Sequence, residues 1–129
     1  MANTKTSSGL SRVGWLLTRF NGRISRSVYW MGTIFLIGVN GVLLGQLIGG
    51  EYASFHGLAQ AIGPFVILGT LYSNVAIAVK RLHDAGYSGF LSIALFIPLV
   101  NLAFAIWIGI LPGTNGPNAY GDVTDSVPA

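Results

Sequence analysis

An all-α, polytopic membrane protein with three transmembrane helices is the fold class this 129-residue sequence predicts, and three observations carry that prediction. Charged residues make up only 9% of the chain, where soluble domains average about 25%. The charges leave residues 27–50, 52–79 and 85–121 empty. Each window exceeds the ~20 residues that a helix rising ~1.5 Å per residue needs to cross a hydrocarbon layer ~30 Å thick. Three such helices in one short soluble chain would leave no polar surface to cover them.

Residues 1–8 are small and polar without periodicity, which predicts a disordered start. No apolar core of ~7–15 residues follows before Arg19, so this start is expected to stay on the mature protein rather than be cleaved as a signal. Residues 9–27 predict an N-terminal interfacial amphipathic helix and a basic turn. Leu10, Val13, Leu17 and Phe20 recur at helical spacing, Arg12 and Arg19 lie a heptad apart on another face, and Trp15 can sit at the headgroups. Asn21-Gly22 signals a turn and Ser25 a helix N-cap, so the first span covers about 28–49, with Tyr29 and Trp30 at the water boundary. Gly41, Gly45 and Gly49, four residues apart, line one face of it. They predict close helix packing, against this chain's own later spans or against a second copy.

Residues 51–62 should form a short outer connection in which His56 is solvated. Gly63-Pro64 then opens the second span, where proline loses little because the first amides of a helix lack partners. Thr70, Tyr72, Ser73 and Asn74 should face protein or water. The third span, 89–111, carries Pro98 and Asn101 near its middle, so it is kinked or broken there. A full break would make it re-entrant, because each half of ~11 residues is too short to cross. The run 102–111 contains no turn sequence, which favours a kinked crossing. The spans form a transmembrane domain over 28–111, followed by a turn-rich tail at 112–129.

Basic residues set the orientation. Arg12, Arg19, Arg23 and Arg26 precede the first span, Lys80 and Arg81 end the second, and the outer connection has none, which places the N-terminus in the cytoplasm of a multi-pass protein. The chain has no cysteine, which removes thiolate metal sites and cysteine nucleophiles. Neither a cofactor nor a metal site is implied. Nucleic acid is not an expected partner, because the basic residues hug the membrane ends instead of interleaving with exposed aromatics. Anionic lipid headgroups are the expected counter-charge.

The densest constellation is Lys80-Arg81-Leu82-His83-Asp84. Lys80, Arg81 and His83 suit a helix C-terminus and Asp84 does not, so Asp84 needs a compensating cation. Lys80 is one turn back in the weaker order; Arg23 and Arg26 can pair in bidentate fashion and so tie the two spans together. His83 beside Asp84 is no catalytic pair, since adjacent helical residues point about 100° apart and no nucleophile is placed to join them. No catalytic residue is predicted.

Three motifs in order carry a family resemblance: 20–26 with Tyr29-Trp30; 80–84 with Gly86 and Ser88-Gly89; and Pro112-Gly113, Gly116, Asn118 and Tyr120-Gly121. Over about 20–122 the chain resembles the bacterial inner-membrane family known as domain of unknown function 805. That family usually has a tryptophan where Phe90 stands and a basic residue where Ala119 stands. The resemblance implies a small polytopic protein of the bacterial inner (plasma) membrane and supplies no activity. It also raises the question of whether 112–122 meets the other two motifs, which a re-entrant third segment would allow.

The leading expectation is a non-enzymatic membrane component whose cytoplasmic cluster of Arg23, Arg26, Lys80, Arg81, His83 and Asp84 binds lipid headgroups or a protein partner, which includes a homo-oligomer. The alternative is a small oligomeric channel or transporter with Asn40, Asn74 and Asn101 along a path between subunits. No ionisable residue sits at mid-membrane to couple transport.

Overall fold

The computed structural model describes residues 8–128, so the expected disordered start falls outside the described residues except for Ser8, and Lys5 lies outside them too. Helix α1 (Gly9–Thr18) begins where the Ser8 hydroxyl accepts the Ser11 amide at 3.3 Å. The indole N–H of the buried Trp15 donates to the Asn21 carbonyl at 3.0 Å and folds the turn back under the helix. Gly22, at φ +94°, makes that turn in a conformation that disfavours other residues. Helix α2 (Arg26–Ile48) is capped by Ser25, whose hydroxyl accepts the Val28 amide at 3.4 Å.

A 3-10 turn at Gly50–Tyr52 leads into helix α3 (His56–Asp84). This helix starts earlier than expected, and Pro64 lies inside it instead of opening it. The brace is tertiary. His56 Nδ1 donates to the Gln46 carbonyl at 2.8 Å, and Gln46 Oε1 accepts the Phe55 amide at 2.9 Å, so the end of α2 holds the start of α3. His56 is therefore a tie, not a solvated loop residue.

Helices α2 and α3 are long and apolar enough to cross a membrane. They meet along Tyr29, Gly32, Leu36 and Leu43, a heptad-like stripe. The Ile77 side chain occupies the space a Cβ on Gly32 would need, and Leu43 packs over Gly63. Within the described residues of this chain, the Gly41, Gly45 and Gly49 face does not make a contact of this kind. Gly41 and Gly45 face open space, and Gly49 meets only the following turn at Ala53. The reason is geometric: those glycines lie across the helix from the Leu36–Leu43 stripe, whose larger side chains bury more surface.

The single kinked crossing expected over 89–111 also does not form. A 3-10 helix, Gly89–Phe96, ends at Pro98-Leu99, and α4 (Val100–Ile110) runs back. Leu99 turns the chain at φ +67°, and the Asn101 amide donates to Ile97 O at 2.9 Å. Both ends of the segment consequently lie beside the end of α3. Gly89 abuts Val79 and His83, and the Thr114 amide donates to Asp84 O at 2.7 Å. At eleven residues, α4 spans only ~16 Å. Tyr29 and Trp30, expected at the water boundary, both dock α4. The Tyr29 hydroxyl donates to Ala105 O at 2.8 Å and the Trp30 indole to Gly109 O at 3.2 Å. The core of Trp15, Ile24, Tyr29, Leu36, Ile77, Ala78, Leu82 and Ile108 thus gathers toward one end of the two long helices.

Candidate functional site

That end holds a buried charged knot. Asp84, at the last position of α3, is 4% exposed; Arg23 is 1% exposed, and Lys80 and Arg81 are fully buried. Arg23 Nε and Nη2 both lie 3.1 Å from Asp84 Oδ1, and Arg81 Nη1 lies 2.7 Å from Oδ2. The Thr124 hydroxyl donates to Oδ1 at 2.7 Å. One carboxylate therefore joins the turn before α2, the end of α3 and the tail.

Three buried cations against one buried anion would be unstable without further acceptors. Backbone carbonyls supply them. Arg23 Nη1 donates to Gly116 O at 2.7 Å and Gly121 O at 3.0 Å, and Nη2 donates to Thr114 O at 2.7 Å. Arg81 donates to Ile108 O at 3.1 Å and to Leu111 O, which caps the C-terminus of α4. Lys80 donates to Trp15 O at 3.3 Å and to Arg19 O at the end of α1, with its ammonium 5.2 Å from the centre of the Trp15 ring. Helix C-termini carry about half a negative charge, so the two cations expected to serve their own helix each neutralise a neighbouring one.

The sequence-predicted cluster is thus brought together but divided in role. Arg23, Lys80, Arg81 and Asp84 face inward. Arg26 is exposed and donates to Leu111 O at 3.0 Å instead of meeting Asp84. His83 is half-buried, with its ring stacked on Tyr120 at 4.0 Å and 4° and its Nδ1 3.2 Å from Gly22 O. A carbonyl only accepts, so Nδ1 carries the proton and Nε2 keeps a lone pair. Asp84 is engaged by Arg23, Arg81 and Thr124, and makes no hydrogen bond to the His83 ring.

The tail closes the site. Asn118 Nδ2 donates to His83 O at 2.8 Å, and the Gly22, His83 and Tyr120 neighbourhoods converge. Asp125 Oδ1 accepts the Ser25 amide at 2.7 Å while its own amide donates to Arg23 O at 2.9 Å. The sequence offered no signal for Thr124 or Asp125. Gly113 is legible in the sequence only as part of a motif; its lack of a side chain leaves room for the Asp84 carboxylate. Among the described residues, no three His, Asp or Glu side chains gather to hold a metal.

A groove of about 670 Å³ runs beside the knot between α3 and the 3-10 helix. Val75, Val79 and His83, four residues apart, form one wall, and Ser88, Ser92 and Phe96 lie on the other. Its polarity is graded, with His83, Ser88 and Tyr120 near the knot and Val75 and Phe96 at the far end. Gly89 leaves space beside His83 Nε2, where a Cβ would sit 3.1 Å away.

Comparison with known proteins agrees with a membrane setting. The family described as Protein of unknown function (DUF805) matches residues 17–122. The inner membrane protein YhaI of Escherichia coli K12 is 30% identical over 104 residues, covering 80% of this chain and 83% of that protein. The inner membrane protein YhaH of the same organism is 28% identical over 108 residues, covering 79% and 84%. No solved structure matches the chain.

Proposed function

The chain belongs to the DUF805 family of bacterial inner-membrane proteins, and on that premise we propose that it is a non-enzymatic, multi-pass membrane component that holds phospholipid at its cytoplasmic end. The carrying observation is the graded groove between α3 and the 3-10 helix. Its wall from Val75 to His83 rises ~12 Å, most of one ~15 Å leaflet, so an acyl chain lies along Val75, Val79 and Phe96 while the headgroup reaches His83 Nε2, Ser88 and Tyr120. The ~670 Å³ volume falls within the ~300–1,000 Å³ of small-molecule sites.

Orientation follows from the same end of the molecule. The N-terminus, the charged knot and the tail share the cytoplasmic side, α2 and α3 cross, the 89–111 hairpin re-enters, and α1 lies in the interface. The positive-inside rule supports this, because Arg12, Arg19 and Arg26 are exposed beside the knot and the far connection has no basic residue. With Arg23, Lys80 and Arg81 turned inward, those three exposed arginines are, among the described residues, the basic groups left to attract anionic headgroups. The channel alternative gains nothing from Asn40, whose carboxamide donates to Leu36 O at 2.9 Å and accepts the Thr70 hydroxyl at 3.2 Å.

Native mass spectrometry of the purified protein tests the lipid reading. Retained phospholipid should be predominantly anionic, and it should be lost in Ile93→Trp, which fills the groove, and reduced in His83→Leu. Undiminished retention in both variants overturns the groove as the site, and measurable solute flux in liposomes would favour the channel.

A further inference from the structure

A second cavity, of about 270 Å³, lies between α2, α3 and the hairpin, away from the lipid groove's polar mouth. Asn74 and Asn101 line it together with Tyr29 and Thr33. Asn74 is six residues, ~9 Å, before Lys80, and Asn101 is ten, ~15 Å, before Leu111, so both lie inside the ~30 Å hydrocarbon layer and away from its charged edge. A carboxamide at that depth is costly unless it is hydrogen-bonded. Asn40 has its partners in Thr70 and Leu36, whereas the half-buried Asn74 and the exposed Asn101 make no side-chain hydrogen bond among the described residues and keep their carboxamides free for a ligand.

The lining also defines what fits. No charged residue lines the cavity, so an ion would be left uncompensated there. Two carboxamides each offer a donor pair and an acceptor, and the Tyr29 hydroxyl, whose proton is committed to Ala105 O, adds an acceptor. The remaining wall, including Leu95, Phe96 and Leu102, is apolar. We propose that this cavity is a binding site for a small uncharged solute carrying both hydrogen-bond donors and acceptors, of the primary-amide class, held between the Asn74 and Asn101 carboxamides. The site uses the membrane reading for its depth and shares only the Val75 and Phe96 walls with the lipid groove, whose polar groups it does not use.

The natural absence of cysteine provides the test. Leu95→Cys places a single thiol on the half-buried cavity wall, and Leu44→Cys places one on the exposed side of α2 as control. Full-length protein in liposomes is alkylated with iodoacetamide, itself a small neutral primary amide, and with N-ethylmaleimide, which has no hydrogen-bond donor. The ratio of iodoacetamide to maleimide rates should be about tenfold higher at the cavity thiol, the factor that ~1.4 kcal/mol of hydrogen bonding supplies. Acetamide should compete. The excess should vanish when Asn74→Leu or Asn101→Leu is added and persist with Asn74→Gln, which keeps the amide; circular dichroism confirms folding of each variant. Equal ratios at the two thiols, or an excess that survives both leucine changes, overturns the proposal. So does equally fast reaction of an anionic methanethiosulfonate, which would make the cavity an open aqueous crevice. None of these outcomes depends on lipid retention, so the two sites stand or fall separately.

Discussion

Asp84 is the residue on which the charged end of the molecule turns, because among the described residues it is the only acidic side chain paired with Arg23 and Arg81. Replacing it with leucine leaves two guanidinium groups buried without a counter-charge, a loss of about 3–5 kcal/mol. Thermal unfolding in detergent should show it. In a double-mutant cycle of Asp84→Ala with Arg23→Ala, the single effects should not add, and strict additivity would refute the pairing. The need for a partner to Asp84 was legible, since a carboxylate at a helix C-terminus opposes the local dipole. Arg23 was legible as that partner. Arg81 was not, because its turn toward Asp84 is decided by the α4 carbonyls it must also reach. Lys80 was misplaced for the same reason: the Trp15 ring and the α1 carbonyls that hold it lie sixty-odd residues earlier in the chain.

Between elements, glycine decides where helices approach, and the glycines at the contacts within this chain are not the ones in the repeating pattern. Gly32→Ala drives a Cβ to 2.8 Å from Ile77 Cδ1, and Gly109→Ala drives one into the Trp30 ring, so both should lower the melting temperature. Gly45→Ala meets nothing and should be neutral or stabilising by up to ~1 kcal/mol, through helix propensity alone. A melting-temperature series on the three variants checks the order. The pattern at Gly41, Gly45 and Gly49 marks a face that could accept a helix; which face does so depends on where α3 and α4 sit. Pro98 was legible as a break. That the chain reverses there was not, because Leu99 is an ordinary apolar residue in a left-handed conformation.

For the molecule as a whole, the reversal at Leu99 brings all three sequence motifs to one surface. Single cysteines at Ser88 and Asn115 should therefore be labelled from the same side of the membrane, and one at Tyr52 from the other. Labelling of Ser88 and Asn115 from opposite sides would mean that 89–111 crosses. The tail is part of this closure even beyond the family match, which stops at residue 122, since Thr124 and Asp125 bond to Asp84, Ser25 and Arg23. Thr124→Val should cost about 1.5–3 kcal/mol as a lost hydrogen bond to a charged group, readable in the same unfolding experiment.

By itself the sequence determined the membrane character, the two long helices, the Ser25 cap and the family, because these follow from local quantities: transfer free energy summed over twenty residues, a hydroxyl beside free amides, and motifs in order. Only the tertiary structure decided that the third segment returns, which of the basic residues face inward, and that Asn40 is bonded while Asn74 and Asn101 share a cavity. Those outcomes depend on competition for buried carbonyls and carboxylates between segments far apart in the chain. A residue's own neighbours in sequence carry no record of that competition.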